Sequence, residues 1–118
     1  MKLDDISQDH LIYLASPYTH EDKLVMYNRF KEAEYVVASL LKENYCVYSP
    51  IVHCHSIAQK YKLPTDFAYW AKYDEAVLKR CTHMYVLELE GWMESNGIKF
   101  EKEVALKHNI PIRYLKVW

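Results

Sequence analysis

The sequence predicts an α/β protein, a doubly wound flavodoxin- or Rossmann-like parallel sheet of four to five strands in one domain spanning residues 1–118. Short apolar runs alternate with longer segments in which apolar residues recur every three or four positions. This β-α-β-α-α-β-α-β order favours parallel strands joined by right-handed crossovers. The length also suits a single domain. We expect strand order 2-1-3-4, with helices on both faces and a ligand site beyond the carboxyl ends of the strands.

Composition excludes several classes of partner. The net charge is −1 with both signs mixed along the chain, and no basic block indicates a nucleic-acid polymer. The beginning of the chain is polar and acidic, unlike a signal peptide, and no apolar run approaches the ~20 residues of a membrane span. An odd number of widely spaced cysteines favours reduced thiols and a cytoplasmic setting. These three cysteines are Cys46, Cys54 and Cys81.

The first strand and first helix are predicted from apolar patterning. Residues 10–15 form a short apolar run that ends at a Ser-Pro pair, which favours a buried strand followed by a loop. Thr19 and Asp22 have the spacing of a capping box, which predicts a helix over about residues 20–43. Asn44 is a suitable left-handed stop for that helix.

The middle of the chain predicts one strand, one loop and two helices. Residues 45–49 are a short strand that ends before a proline, and residues 51–56 are predicted to be the loop that follows it. A short helix is expected over residues 56–61. Another proline separates it from a helix that starts at Thr65 or Asp66 and continues to about residue 80.

The last third of the chain contains the stretch around which the site is predicted. Residues 84–89 indicate a strand and residues 95–108 a helix, and both glycines of the chain, Gly91 and Gly97, fall between or near them. Glycine allows a sharp turn or a close approach of backbone to a ligand. Residues 110–115 predict a final strand, and the proline near its start favours a sheet edge.

Two carboxylates are the candidate catalytic groups. Asp74 interrupts an otherwise apolar helical stripe, and Glu101 occupies the packed face of the last helix, near its positively polarised start. Two carboxyls in different environments can divide the roles of nucleophile and acid. The alternative is structural, with Glu101 complementing the helix dipole and Asp74 bonding a loop amide. Tyr13, near the end of the first strand, either bonds a catalytic carboxylate or is a core tyrosine with a backbone partner.

Polar residues at the predicted mouth are candidate ligand contacts. Ser16 and Ser95 start loops or helices there, so each either binds a sugar hydroxyl or phosphate or serves only as a cap. If residues 51–56 are extended, His53 and His55 point the same way and could hydrogen-bond a ligand. A His-Cys-His triplet without a second, separated pair is a weak zinc signal, so no metal is expected.

Other motifs are missing. There is no Gly-x-Gly-x-x-Gly and no Gly-Lys-Ser/Thr loop, which weighs against a dinucleotide dehydrogenase and a P-loop NTPase, and no cofactor is expected. A nucleophile elbow is also missing, which weighs against a Ser-His-Asp hydrolase. Arg29, on the first helix, is predicted to be a surface or salt-bridging residue.

Three segments in order resemble the nucleoside 2-deoxyribosyltransferase superfamily. Residues 13–18, Tyr-Leu-Ala-Ser-Pro-Tyr, are similar to its Tyr-Leu-Ala-Gly-Pro-Phe type motif. Asp74, with the strand segment that follows it at residues 81–87, resembles the family's Asp and the later Ala-Asp-hydrophobic strand segment. The Ser-x-Gly-x-x-x-Glu segment over residues 95–101 resembles its Asp/Ser-x-Gly-Thr-x-x-Glu segment. The Gly-Trp pair at residues 91–92 resembles a small phage and bacterial branch.

The resemblance implies cleavage or transfer of the N-glycosidic bond of a (deoxy)nucleoside or nucleoside 5′-monophosphate through a covalent glycosyl-glutamate. Glu101 would be the nucleophile, Asp74 the acid and Tyr13 the residue that orients the nucleophile. Ser95 would contact the 5′ end, and Trp92 could close the pocket. The full set of expected substrate-binding residues is Ser16, Pro17, Tyr18, His53, His55, Gly91, Trp92, Ser95 and Gly97.

The sequence leaves other functions open. The family Gly-Thr pair is Gly97-Ile98 here and a family glycine is Ser16, so one alternative is a non-catalytic binder of a nucleotide or nucleotide-derived ligand. Another is a purely structural or interaction domain. The expected partners are a small-molecule nucleoside or nucleotide and further copies of the chain. Because members of the superfamily often borrow residues from a neighbouring subunit, we expect a homo-oligomer, a dimer or larger.

Overall fold

A computed structural model describes residues 2–117. It contains a four-stranded sheet in which all strands are parallel and the order is β2-β1-β3-β4, which confirms the predicted fold class and strand order. The strands are β1 (Leu11–Ala15), β2 (Cys46–Tyr48), β3 (His83–Leu87) and β4 (Ile112–Leu115).

Alternation along β1 divides the core between the two faces of the sheet. Ile12 and Leu14 belong to a cluster on one face, whereas Tyr13 and Ala15 belong to a cluster on the other, and all four side chains are completely buried. Side chains of a strand point alternately to opposite faces, so a central strand covered on both sides is apolar throughout. The apolar run that predicted β1 is explained by this double burial.

Helix α1 (Lys23–Lys42) covers the face that contains Ile12 and Leu14. It starts three residues later than expected, because the Asp22 side chain accepts the Leu24 N–H and forms the cap. The Thr19 hydroxyl instead donates to the Thr65 carbonyl at 2.9 Å, so the predicted capping box was wrong. Asn44 has a left-handed φ of 65°, as predicted.

Helix α2 (Pro50–Tyr61) replaces the predicted loop over residues 51–56, which was wrong. The Ser49 hydroxyl accepts the Val52 N–H at 3.2 Å, and Pro50 occupies the first turn. A proline there has no N–H to leave unpaired and its φ already suits a helix. His53 and His55 therefore lie on a helix rather than on one side of a strand.

Helices α3 (Phe67–Leu78) and α4 (Asn96–Lys107) complete the second face together with a short 3-10 helix at Trp92–Glu94. The Ser95 hydroxyl accepts the Ile98 N–H at 3.2 Å and caps α4. Strand β4 starts two residues later than expected but is an edge strand, as its proline predicted. No helix within residues 2–117 is long and apolar enough to cross a membrane.

Candidate active site

A cleft of about 390 Å³ opens beyond the carboxyl ends of β1 and β3. Its wall is formed by the loop after β1, the first turns of α2, one side of α3, and the loop and first turns of α4. Strands β1 and β3 are neighbours, but the chain leaves them for opposite faces of the sheet. A crevice forms where successive connections diverge in this way, and ligands bind there in open α/β sheets.

Tyr13 and Glu101 form a buried pair beneath this cleft. The Tyr13 hydroxyl donates a hydrogen bond to Oε2 of Glu101. Glu101 is 6% exposed and lies on the buried face of α4, together with Ile98 and Ala105. The helical period of α4 thus turns one carboxyl, among otherwise apolar side chains, toward the end of β1. A carboxyl so deeply buried is expensive to ionise without donors or opposite charges.

Asp74 faces the same cleft from α3. Its Oδ1 is buried and has no hydrogen-bond partner within residues 2–117. Burial raises the pKa of the Asp74 carboxyl to about 7. Burial also raises the pKa of Glu101 to about 8, the Tyr13 hydrogen bond lowers it, and the charge of Asp74 raises it. Charge on Asp74 therefore disfavours charge on Glu101, so the pair resists losing both of its protons near neutral pH.

The raised pKa of Glu101 makes folding stability depend on pH. A carboxyl whose pKa is higher in the folded than in the unfolded protein binds protons more tightly when folded, so the stability that Glu101 contributes is full below about pH 4 and falls as pH rises toward 8. From Glu101 alone we expect a loss of about 3 kcal/mol between about pH 5.5 and 8, and the raised pKa of Asp74 adds a smaller loss over the lower part of this range. Urea unfolding at a series of pH values measures this loss. Glu101→Gln should remove most of it, and an equal loss in that variant would contradict the assignment.

The Tyr13 hydroxyl is expected to tune Glu101 rather than only to fill space. Because its hydrogen bond lowers the pKa of Glu101, Tyr13→Phe should raise that pKa further and cost about 1–2 kcal/mol at alkaline pH. Carbon-13 NMR of the Glu101 carboxyl measures the shift. Tyr48→Phe is the matched control, since the Tyr48 ring lies beside Tyr13 but its hydroxyl forms no hydrogen bond to Glu101 or Asp74, so its loss should leave the pKa of Glu101 almost unchanged. Equal effects of the two substitutions would contradict a special role for Tyr13.

Seven of the nine predicted substrate-binding residues line the cleft, and two do not. His53 is exposed and its ring stacks on Tyr73, because residues 51–56 are helical and turn it away from His55. Trp92 packs against Tyr114 on the outside of the cleft. The residues that line the cleft are Ser16, Pro17, Tyr18, His55, Gly91, Ser95 and Gly97.

His55 and Tyr18 form a second polar pair at the cleft. The Tyr18 hydroxyl and Nδ1 of His55 are 2.7 Å apart. The imidazole stacks on Phe30 with ring centroids 4.1 Å apart, and burial lowers the pKa of His55. The ring is therefore neutral near pH 7, so it offers one N–H donor and one acceptor to its neighbours.

Several residues that line the cleft were not assigned to the site from the sequence, among them Phe67, Trp70 and Arg29. Phe67 and Trp70 on α3 supply apolar surface, and the Trp70 indole donates to the Pro64 carbonyl at 2.8 Å. Arg29 was expected at the surface, but it is half-buried and its guanidinium reaches the cleft rim. The sequence does indicate that Arg29 is partly buried, since it lies three positions after Met26 and four before Ala33, on the buried face of α1.

Metal ligands and disulfides do not define the site. No group of three His, Cys, Asp or Glu side chains in the described part of the chain is arranged to hold a metal ion. All three cysteines are free thiols. Burial raises the pKa of Cys54, which lines the cleft, to about 11, so this thiol is protonated at neutral pH.

The fold and the cleft define a Rossmann-like α/β protein with two interacting carboxyls at the switch point of its sheet. A family model described as "Domain of unknown function (DUF1937)" matches residues 10–116, and the chain belongs to this family. No curated protein matches the sequence. The likeness to nucleoside 2-deoxyribosyltransferases therefore stays a prediction.

Proposed function

We propose that the protein cleaves or transfers the N-glycosidic bond of a (deoxy)nucleoside or a nucleoside 5′-monophosphate. One observation carries the proposal: the Tyr13 hydroxyl bonds a buried Glu101, and Asp74 on the wall of the same cleft interacts with that carboxyl. An oriented carboxylate beside a second, proton-holding carboxyl is what retaining glycosidic chemistry requires. A purely structural glutamate would not need a partner acid on an open cleft.

The first step would join the sugar to the protein. The Glu101 carboxylate attacks C1′ of the sugar, a C–O bond forms, and the C1′–N bond breaks with its electron pair going to the base. Asp74 gives its proton to the departing base. Tyr13 holds the attacking carboxylate by its hydrogen bond, so that the remaining oxygen faces the cleft. The products are a glycosyl ester of Glu101 and a neutral base.

The second step would release the sugar. Water, or the nitrogen of an acceptor base, attacks C1′ and the ester bond to Glu101 breaks. The ionised Asp74 takes the proton that the attacking group loses, which restores both carboxyls. Attack by water gives a hydrolase, and attack by a base gives a transferase. Two displacements at C1′ retain the configuration of the sugar.

Protonation of the carboxyl pair sets a condition on this mechanism. In the cleft without substrate, burial raises the pKa of both carboxyls, to about 8 for Glu101 and about 7 for Asp74, so the pair holds a proton near neutral pH. The reaction needs it on Asp74. Positive charge that develops at C1′ lies against Glu101 and favours its ionised form, so the transition state itself shifts the proton. A bell-shaped rate profile with limbs near these two pKa values is the consequence.

A substrate panel tests the proposal. Deoxynucleosides, ribonucleosides and their 5′-monophosphates are incubated with the protein, with and without an acceptor base, and free base is followed by chromatography. We expect free base from at least one member of the panel. If the protein is a transferase, adding an acceptor base should also give a new nucleoside. No release from any member, or equal release by Glu101→Ala, would contradict it.

A second candidate is a non-catalytic binder of a nucleotide or nucleotide-derived ligand. It is favoured by Ser16, whose hydroxyl is buried at the cleft without a hydrogen-bond partner in residues 2–117, and by Ile98 in place of the family threonine. A bound ligand could supply the missing partner. Thermal shift with the same panel distinguishes the two functions. Stabilisation without turnover favours the binder, and the absence of any shift contradicts it.

The oligomer that the resemblance implies also stays a prediction. Several aromatic side chains at or near α3 are exposed, among them Tyr61, Tyr69 and Tyr73. Analytical ultracentrifugation measures the state directly. A dimer or larger species is expected, and a monomer at all concentrations would contradict it.

A further inference from the structure

Arg29 connects the two loops that form the rim of the cleft. Its Nη1 donates to the carbonyls of Tyr18 and Thr19, at 3.4 and 3.2 Å, in the loop after β1. Its Nη2 donates to the carbonyl of Glu90, at 3.3 Å, in the loop after β3. One guanidinium thus joins two loops whose bonded carbonyls, those of Thr19 and Glu90, are 71 positions apart in the sequence.

Gly91 makes room for this guanidinium. A Cβ atom at Gly91 would lie 2.5 Å from Nη2 of Arg29 and 3.4 Å from its Cζ. The φ of Gly91 is also 93°, a conformation that favours glycine. Glycine is therefore required at position 91 for two reasons: the turn needs a positive φ there, and the Arg29 guanidinium packs against it.

The positive charge of Arg29 is not paired with a carboxylate. Within residues 2–117 its partners are backbone carbonyls, and no Asp or Glu forms an ion pair with it. A guanidinium can span two loops because its planar fork presents five N–H donors in fixed directions, which an ammonium group cannot reproduce. Its geometry suits holding backbone in place more than neutralising a neighbouring charge.

The two loops differ in how they are otherwise fastened. The loop after β1 is also held by the Tyr18–His55 contact at 2.7 Å and by the bond from the Thr19 hydroxyl to the Thr65 carbonyl at 2.9 Å. The backbone bonds of the loop after β3 connect it to itself and to β3 and β4: the Leu89 N–H donates to Leu87, and the Trp92 N–H donates to Leu89. In the part of the chain that the structure describes, Arg29 supplies the side-chain bond between this loop and the rest of the cleft rim.

We propose that Arg29 is a positioning residue that braces the cleft rim. It fixes where the loop after β3 (residues 88–95, called the Gly91 loop below) lies relative to Tyr18. The brace sets the width of the cleft opening above the Tyr13, Glu101 and Asp74 side chains without touching the reacting atoms. Its consequence for catalysis rests on the proposed function, whereas the brace itself does not. Loss of the guanidinium should loosen the Gly91 loop more than the loop after β1.

Hydrogen–deuterium exchange of the full chain tests the brace without any substrate. In Arg29→Met, amides of residues 88–95 should exchange about tenfold faster or more, with a smaller change in residues 17–20. Arg29→Lys should behave in the same way, because one ammonium group cannot reach both loops. Arg80→Met is the matched control, since the Arg80 guanidinium donates to the Ala76 carbonyl at 2.6 Å on α3, outside the cleft lining. Unchanged exchange in residues 88–95 of Arg29→Met would overturn the proposal.

Gly91→Ala provides a second variant if Arg29→Met does not fold. Its methyl group would displace Nη2, so residues 88–95 should again exchange faster. In the double variant Arg29→Met/Gly91→Ala the effects should be less than additive, because the guanidinium that the methyl group displaces is already gone. Full additivity would contradict a shared brace.

Kinetics then separate failure of the brace from failure of the proposed function. If wild type releases base, Arg29→Met should lower kcat/KM about 10- to 100-fold while the pH profile set by the carboxyl pair stays in place. A shifted pH profile would contradict a positioning role and indicate contact with the reacting groups. If wild type releases no base but exchange rises as expected, the brace is supported and the proposed function fails.

Discussion

Glu101→Gln is expected to lower base release by roughly 10³-fold or more while leaving the protein folded. The amide keeps the shape of the side chain and can still accept the Tyr13 hydrogen bond, but it cannot form the glycosyl ester. The substitution also removes a carboxyl that folding buries. Activity and stability at alkaline pH should therefore change in opposite directions. Initial rates on the best substrate of the panel and urea unfolding at pH 9 measure the two effects.

Glu103→Gln is the matched control for this prediction. Glu103 lies two positions further along α4 and is exposed, so the same chemical change there is made outside the cleft. Its activity and stability should stay close to wild type. If Glu101→Gln keeps more than a tenth of wild-type activity, Glu101 is not the nucleophile.

Asp74→Asn is expected to slow release of an ordinary nucleobase by about 10²- to 10⁴-fold. Asparagine cannot deliver a proton to the departing nitrogen. A 2-deoxyriboside with a good leaving group, such as p-nitrophenolate, needs little protonation, so the variant should retain most of its activity on that substrate in the first step. The alkaline limb of the rate profile, which reports loss of the proton, should disappear with the carboxyl.

Glu75→Gln is the control for the acid. Glu75 follows Asp74 on α3 but does not line the cleft. Glu75→Gln should therefore leave the rates on both substrates unchanged. An equal loss on the ordinary and the activated substrate in Asp74→Asn would mean that Asp74 positions the sugar instead of donating a proton. That result would contradict the assigned role even if the variant were almost inactive.

Much of the fold could be predicted because its signals are local. Strand β1 is apolar throughout since both its faces are buried, and it ends at the predicted residue, Ala15, directly before the Ser-Pro pair. Strand order followed from parallel connections of fixed handedness. Helix α2 was missed at its start because Ile51 and Val52 are β-branched and look extended. The hydroxyl of Ser49 and the ring of Pro50 were the overlooked start signals.

The site was only partly predictable because its contacts are long-range. The hydrogen bond between Tyr13 and Glu101 joins residues 88 positions apart. It could be expected only because both residues were predicted to lie at the carboxyl edge of the sheet, and because the family resemblance pairs them. The position of His53 depends on residues 51–56 being helical instead of the predicted loop, since the helical period turns its side chain to another face. The carbonyl partners of Arg29 lie in two distant loops, and no local pattern identifies backbone acceptors.

The most direct measurement is the mass of the protein quenched in acid during turnover, followed by peptide mapping. A substrate whose sugar carries fluorine at C2′ slows release of the ester and allows it to accumulate. One glycosyl group per chain, on the peptide that contains Glu101 and absent from Glu101→Gln, is the predicted result. Base release with no adduct, or an adduct on any other residue, would contradict a covalent glutamate mechanism.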